Sequence, residues 1–163
     1  MLEVLSLTVF RLPKMDKREV QDLLQDQFLC RIAFHGREYP YMAPFQYTLM
    51  DDSLYFHFTN YGKKMKLLER DKRVCVEVEK YKPDLSEYRF VVMRGTLREV
   101  SDPEERRRAI LKMADEGTRR LSTNFLSAHG FDQNQSWSAF SDEKPMVIVK
   151  LEDVEQAVGL KNP

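Results

Sequence analysis

The chain has 163 residues, with 26 basic and 26 acidic side chains. That length suits one domain, residues 1–163, whose core needs no disulfide framework. The balanced charge leaves no global basic field for nucleic acid or an anionic membrane, so any anion recognition must be local.

Leu2 to Phe10 is apolar and β-prone, so residues 1–15 are expected as an N-terminal arm or an extra strand. This run has no basic n-region, and no apolar run in the chain is long enough to span a bilayer; a cytoplasmic, soluble protein is expected. Asp16 with Glu19 fits a capping box, and Val20, Leu23 and Leu24 follow at helical spacing. Phe28 to Phe34 predicts a strand and His35-Gly36 a turn. Tyr39 to Leu49 predicts a second strand, with Tyr39, Tyr41, Ala43, Phe45 and Tyr47 alternating on one face. Pro40 and Pro44 lie on the other face. Their missing N–H groups point to one side, which cannot be an intact central ladder.

Asp51-Asp52 make a turn before a strand at Ser53 to Phe58. A polar turn ending in Gly62 leads to a helix, Lys63 to Arg70, and then to a strand, Val74 to Val78. Cys30 and Cys75 both fall in apolar strand patterns and are expected as buried free thiols. Tyr88 to Val100 predicts a long strand, in which Gly95 marks a bulge or a close backbone approach. Asp102-Pro103 with Glu105 starts a helix to about Glu116, followed by a second helical piece from about Arg119 to Ala128. Gly130 to Lys144 is polar and irregular, and Met146 to Leu151 is the final strand. Short antiparallel strands with a few helices predict a mainly β protein, a small barrel with peripheral helices.

Three constellations carry possible chemistry. In "TNYGKKMKLLER", Thr59 and Asn60 supply a hydroxyl and an amide, Gly62 lets backbone N–H groups approach an oxyanion, and Lys63 and Lys64 add charge. Two lysines at the positive end of a helix dipole make sense beside an anion, although a solvated lysine pair is equally ordinary. "APFQYTL" and "LYFHFT" form adjacent aromatic strands that either wall a flat ligand or simply fill a barrel. Trp137, the one tryptophan, sits in a polar run and either pins its own loop or covers a ligand or a partner subunit. Of the arginines on the Tyr88–Val100 strand, Arg94 is best placed for a ligand. His35, His57 and His129 show no metal-ligand spacing, so no metal site is expected. P-loop, G-x-S-x-G and G-x-G-x-x-G patterns are all lacking, and no catalytic residue is assigned.

The order of "DKREVQDLL", "CRIAF", "YMAPFQYTL", "LYFHFTNYGKKMKLLERDKRVCVEVE", "YRFVVMRGTLREVSDPEERRRAILKM" and "MVIVKLEDVEQAVG" resembles the pyridoxamine 5′-phosphate oxidase-like FMN-binding split-barrel family. It is most similar there to the small 5-nitroimidazole reductase-like flavoproteins. The resemblance implies a six-stranded antiparallel split β-barrel that forms a homodimer with FMN at the subunit interface. It implies that Ala43, Pro44, Phe45, Gln46 and Tyr47 line the isoalloxazine, that His57 and Thr59 lie near the ring and ribityl chain, and that Lys63 and Lys64 hold the phosphate. Arg94 and Trp137 would approach from the second subunit. The ending "VGLKNP" lacks the basic segment of the true oxidase, so vitamin B6 oxidation is not expected. The implied function is an FMN-dependent oxidoreductase acting on a small molecule such as a nitroaromatic. The alternatives are a non-enzymatic flavin storage or sensing protein, or a barrel that binds haem or a deazaflavin.

Overall fold

The computed structural model describes residues 11–132, 134–141 and 146–163. Six antiparallel strands close into a barrel: β1 (Leu29–Phe34), β2 (Tyr41–Met50), β3 (Ser53–Phe58), β4 (Arg73–Tyr81), β5 (Tyr88–Glu99) and β6 (Val147–Lys161). Their order around it is β1-β2-β3-β6-β5-β4. Period-2 alternation fills the interior: Ile32, Phe34, Tyr47, Phe56, Phe58, Val76, Val78 and Val91 all lie in one core cluster. Helix α1 (Lys17–Asp26) buries Leu23 and Leu24 against that cluster. The expected capping box is formed, with Asp16 accepting from the Glu19 backbone N–H at 2.8 Å and Glu19 from that of Asp16 at 3.0 Å.

A second apolar layer covers the outside of β2, β3 and β6. Helix α3 (Pro103–Arg120; the short α2 is Lys63–Leu68) lays Ala109, Ile110 and Met113 over Met50, Tyr55 and Ile148. The Tyr55 hydroxyl donates to Glu105 at 2.5 Å and Lys150 donates to the same carboxylate at 3.0 Å, tying the start of α3 to β3 and β6. Among the described residues, no helix is long and apolar enough to cross a membrane.

Three expectations change. The break near Glu116 does not occur: α3 runs on to Arg120, and a 3₁₀ segment, Thr123–His129, replaces the second helical piece. The final strand continues past Leu151 to Lys161, because its polar half still finds a partner, pairing Gln156–Lys161 with Arg89–Arg94. Cys30 is buried, but Cys75 is half-buried on the outward side of β4, since Val74 and Val76 take the inward positions. Of the expected N-terminal arm or extra strand, residues 1–10 lie outside the described residues, and residues 13–15 make one isolated bridge, Lys14 with Leu160. Gly95 does sit at an irregularity. The β5–β6 register shifts between Arg94 and Thr96, and a Cβ on Gly95 would lie 2.7 Å from the Glu152 carbonyl oxygen.

Candidate functional site

The barrel parts on one side. The β2–β3 ladder covers only Tyr47–Met50 against Ser53–Phe56, so the strands separate at the next positions, Gln46 and His57. Pro44, which lacks a donor, lies in the half of β2 that keeps β1 as its ladder partner. The gap opens as a cleft of about 300 Å³ lined by Leu29, Pro44, Phe45, Gln46, His57, Thr59, Phe125, Ala128 and His129. That volume is at the low end for small-molecule sites, roughly 300–1,000 Å³.

Strand alternation sorts the expected ligand wall. Gln46 and Pro44 face outward into the cleft, whereas Tyr47 points into the barrel core and donates its hydroxyl to the Leu24 carbonyl at 2.9 Å. Phe45 packs its ring against Phe34 and Phe58 yet still borders the cleft. Ala43, opposite Ile32 in the ladder, does not line it. At the cleft floor the Gln46 side-chain nitrogen is buried with no hydrogen-bond partner among the described residues. An orphaned donor at the base of an open cleft fits a ligand that brings an acceptor.

Thr59 sits at the mouth. Its hydroxyl accepts from Lys64 Nζ at 2.7 Å and donates to the Tyr61 carbonyl at 3.2 Å. Gly62 precedes α2 with φ 96°, a conformation that favours glycine, and no side chain caps the helix. Lys63 lies over the Tyr41 ring at 5.0 Å and Lys64 over the Phe58 ring at 5.5 Å. Burial holds the Lys64 ammonium below its usual pKa. Neither lysine forms an ion pair among the described residues, and Lys64 is half-buried. A half-buried ammonium held by a neutral hydroxyl is a seat for an anion.

The structure also brings in residues that the sequence did not point to. His129, Phe125 and Ala128 reach the cleft on the 3₁₀ segment, and Leu29 does so from β1. His57 Nδ1 and His129 Nδ1 lie 3.1 Å apart. Burial, reinforced by His129, Lys64 and Arg106, lowers the His57 pKa to about 3, and burial lowers that of His129 to about 4. Both rings are therefore neutral near pH 7. Among the described residues, no group of three or more His, Cys, Asp or Glu gathers to hold a metal. The signal for His129 is purely tertiary, a contact across 72 positions of sequence.

Two expected residues lie elsewhere in the chain. Trp137 is buried, its Nε1 donating to the Leu121 carbonyl at 3.3 Å, and it pins its own loop against Gly117. Arg94 lines a separate groove of about 470 Å³ with Arg73, Cys75 and Tyr39, and it is hydrogen-bonded to Gln156.

The sequence profile of the family described as pyridoxamine 5′-phosphate oxidase matches residues 16–140. Solved structures share the fold. A candidate 5-nitroimidazole antibiotic resistance protein from Bacteroides thetaiotaomicron is 21% identical with a TM-score of 0.66, covering 93% of this chain and 87% of its own. A FAD-binding protein from Mesorhizobium loti is 19% identical with a TM-score of 0.63, over 94% of this chain and 100% of its own. A haem storage protein from Vibrio cholerae is 13% identical with a TM-score of 0.63, over 89% and 94%. No curated protein matches the chain.

Proposed function

The chain belongs to the pyridoxamine 5′-phosphate oxidase family, and from that premise we propose that it is an FMN-binding flavoprotein, an oxidoreductase acting on a small molecule such as a nitroaromatic. The observation that carries this reading is the half-buried Lys64. It lacks a carboxylate partner among the described residues, and it sits beside Thr59 at the mouth of a cleft whose floor holds the unpaired Gln46 amide. A seat for one phosphate next to a flat, partly aromatic wall matches the single-phosphate flavin. The FAD-binding and nitroimidazole-resistance descriptions of structural neighbours support a flavin and a nitro acceptor respectively.

In this reading Lys63, Lys64 and Thr59 hold the phosphate, Pro44 and Phe45 lie against the ring system, and Gln46 donates to one of its acceptor atoms. The flavin, when bound, supplies the electron transfer, so the protein needs no nucleophile of its own. Phe125, Ala128 and His129 limit water at the cleft. A homodimer belongs to the same proposal. On the outer side of the barrel Leu29 and Met42 are 45% and 63% exposed, and half-buried Phe90 and Val92 share the outward side of β5 with Arg94. A second copy seated there would bring Arg94 to its partner's ligand.

The test is the absorbance spectrum of purified or FMN-soaked protein, with the mass of the ligand released on denaturation. A flavin spectrum, an FMN mass and reduction of a nitroaromatic acceptor are expected. Flavin-loaded protein without turnover would leave a storage or sensing role. A FAD or deazaflavin mass would change the cofactor, a Soret band would put haem in the cleft, and colourless protein that takes up no flavin would end the reading.

A further inference from the structure

His57 and His129 share one hydrogen bond, and the surroundings decide which ring donates. Between two neutral imidazoles, a contact of 3.1 Å from Nδ1 to Nδ1 carries one hydrogen, so one ring holds its proton on Nδ1 and the other on Nε2. His129 Nε2 is buried with no hydrogen-bond partner among the described residues. Its ring is boxed edge-to-face by Phe125 at 5.1 Å, Trp137 at 5.7 Å and Phe140 at 5.5 Å, and aromatic rings are only weak acceptors. If His57 were the donor, His129 would have to bury an unpaired N–H at Nε2. If His129 is the donor, Nε2 is a bare lone pair, and a buried N–H without an acceptor is the rarer of the two defects in folded proteins. The second arrangement is preferred, and it leaves the proton of His57 on Nε2. His57 lines the cleft, its Nδ1 is occupied by His129, and Nε2 is the atom left for a ligand.

We propose that His129 is a positioning residue: it donates from Nδ1 to His57 Nδ1 and so fixes His57 as the tautomer that presents Nε2–H to the cleft, where it donates to a carbonyl oxygen or ring nitrogen of a flat heteroaromatic ligand. This rests on the flavin-site reading for the identity of that ligand, but the tautomer itself does not. The charges facing His57 besides His129 are those of Lys64 and Arg106, and both oppose its protonation. The aromatic box thus has a role beyond packing, since it denies His129 Nε2 an acceptor and forces the proton to the other side of the ring.

Long-range ¹H–¹⁵N NMR of the ligand-free protein near neutral pH reads the tautomers directly. The expected result is His57 protonated on Nε2 and His129 on Nδ1. In His129→Leu, His57 should relax to a mixture of tautomers, and His129→Asn, whose amide nitrogen reaches about as far as Nδ1, should restore it. FMN affinity by fluorescence titration should fall about threefold to tenfold in His129→Leu, the loss of one neutral hydrogen bond, and recover in His129→Asn. His57 protonated on Nδ1 in the parent would overturn the proposal without any variant having to fold. An unchanged His57 signal in a folded His129→Leu protein would do the same. Failure of the parent to bind FMN removes the flavin reading, while the NMR result still decides the tautomer.

Discussion

Removing the two ammonium groups at the start of α2 separates the anion seat from the fold, because neither lysine forms an ion pair among the described residues. Lys63→Ala with Lys64→Ala should weaken FMN binding at least about tenfold, the scale of one lost charge-assisted hydrogen bond, with little change in melting temperature. Equal affinity in parent and variant would place the phosphate elsewhere. The histidine pair makes a second prediction. With folded pKa values of about 3 and about 4, both below the ordinary 6.5, the unfolded chain binds more protons as pH falls. Stability from this source is complete above about pH 6.5 and declines toward pH 4, by up to about 1.4 kcal/mol per pH unit for each group. Denaturant titrations across that window should show the decline, and His129→Leu should flatten it. Equal slopes would assign the acid loss to carboxylates.

The 3₁₀ segment that delivers His129 depends on how two neighbouring elements pack. Helix α3 passes through Gly117 because the Trp137 ring occupies the space where a side chain would go: a Cβ there would lie 2.3 Å from Trp137 Cδ2. Gly117→Ala gains up to about 1 kcal/mol of helix propensity but forces the indole out of its site, an overpacking cost of about 1–3 kcal/mol. The net expectation is lower stability. Trp137 is the one tryptophan, so its emission should move to the red as it meets water. Unchanged emission with raised stability would mean that the 137–140 turn shifts to accommodate the methyl. The contact accounts for a glycine inside α3, which runs on past Glu116 to Arg120: glycine here serves tertiary packing rather than termination.

At the scale of the whole molecule, the two sides of the barrel differ. Helix α3 covers β2, β3 and β6, while the outward side of β5 carries half-buried Phe90 and Val92 beside exposed Arg94. We expect a dimer through that side in sedimentation at dilute concentration. Val92→Glu should yield monomers with lowered flavin affinity, because Arg94 would no longer reach a partner's ligand. A monomer that binds flavin with the parent's affinity would place the complete site within one chain.

Six strands, their antiparallel sense, the Asp16 cap, the Gly95 bulge and the Gly62 turn that opens α2 are readable in the sequence because each depends on local stereochemistry: period-2 burial, a side chain reaching three residues along, a missing Cβ, or a glycine at positive φ. The polar end of β6, the inward turn of Tyr47 and the meeting of His57 with His129 depend on partners far along the chain. Only the closed barrel decides these, because a strand's second neighbour and the atom left free on a buried ring are set by what packs against them.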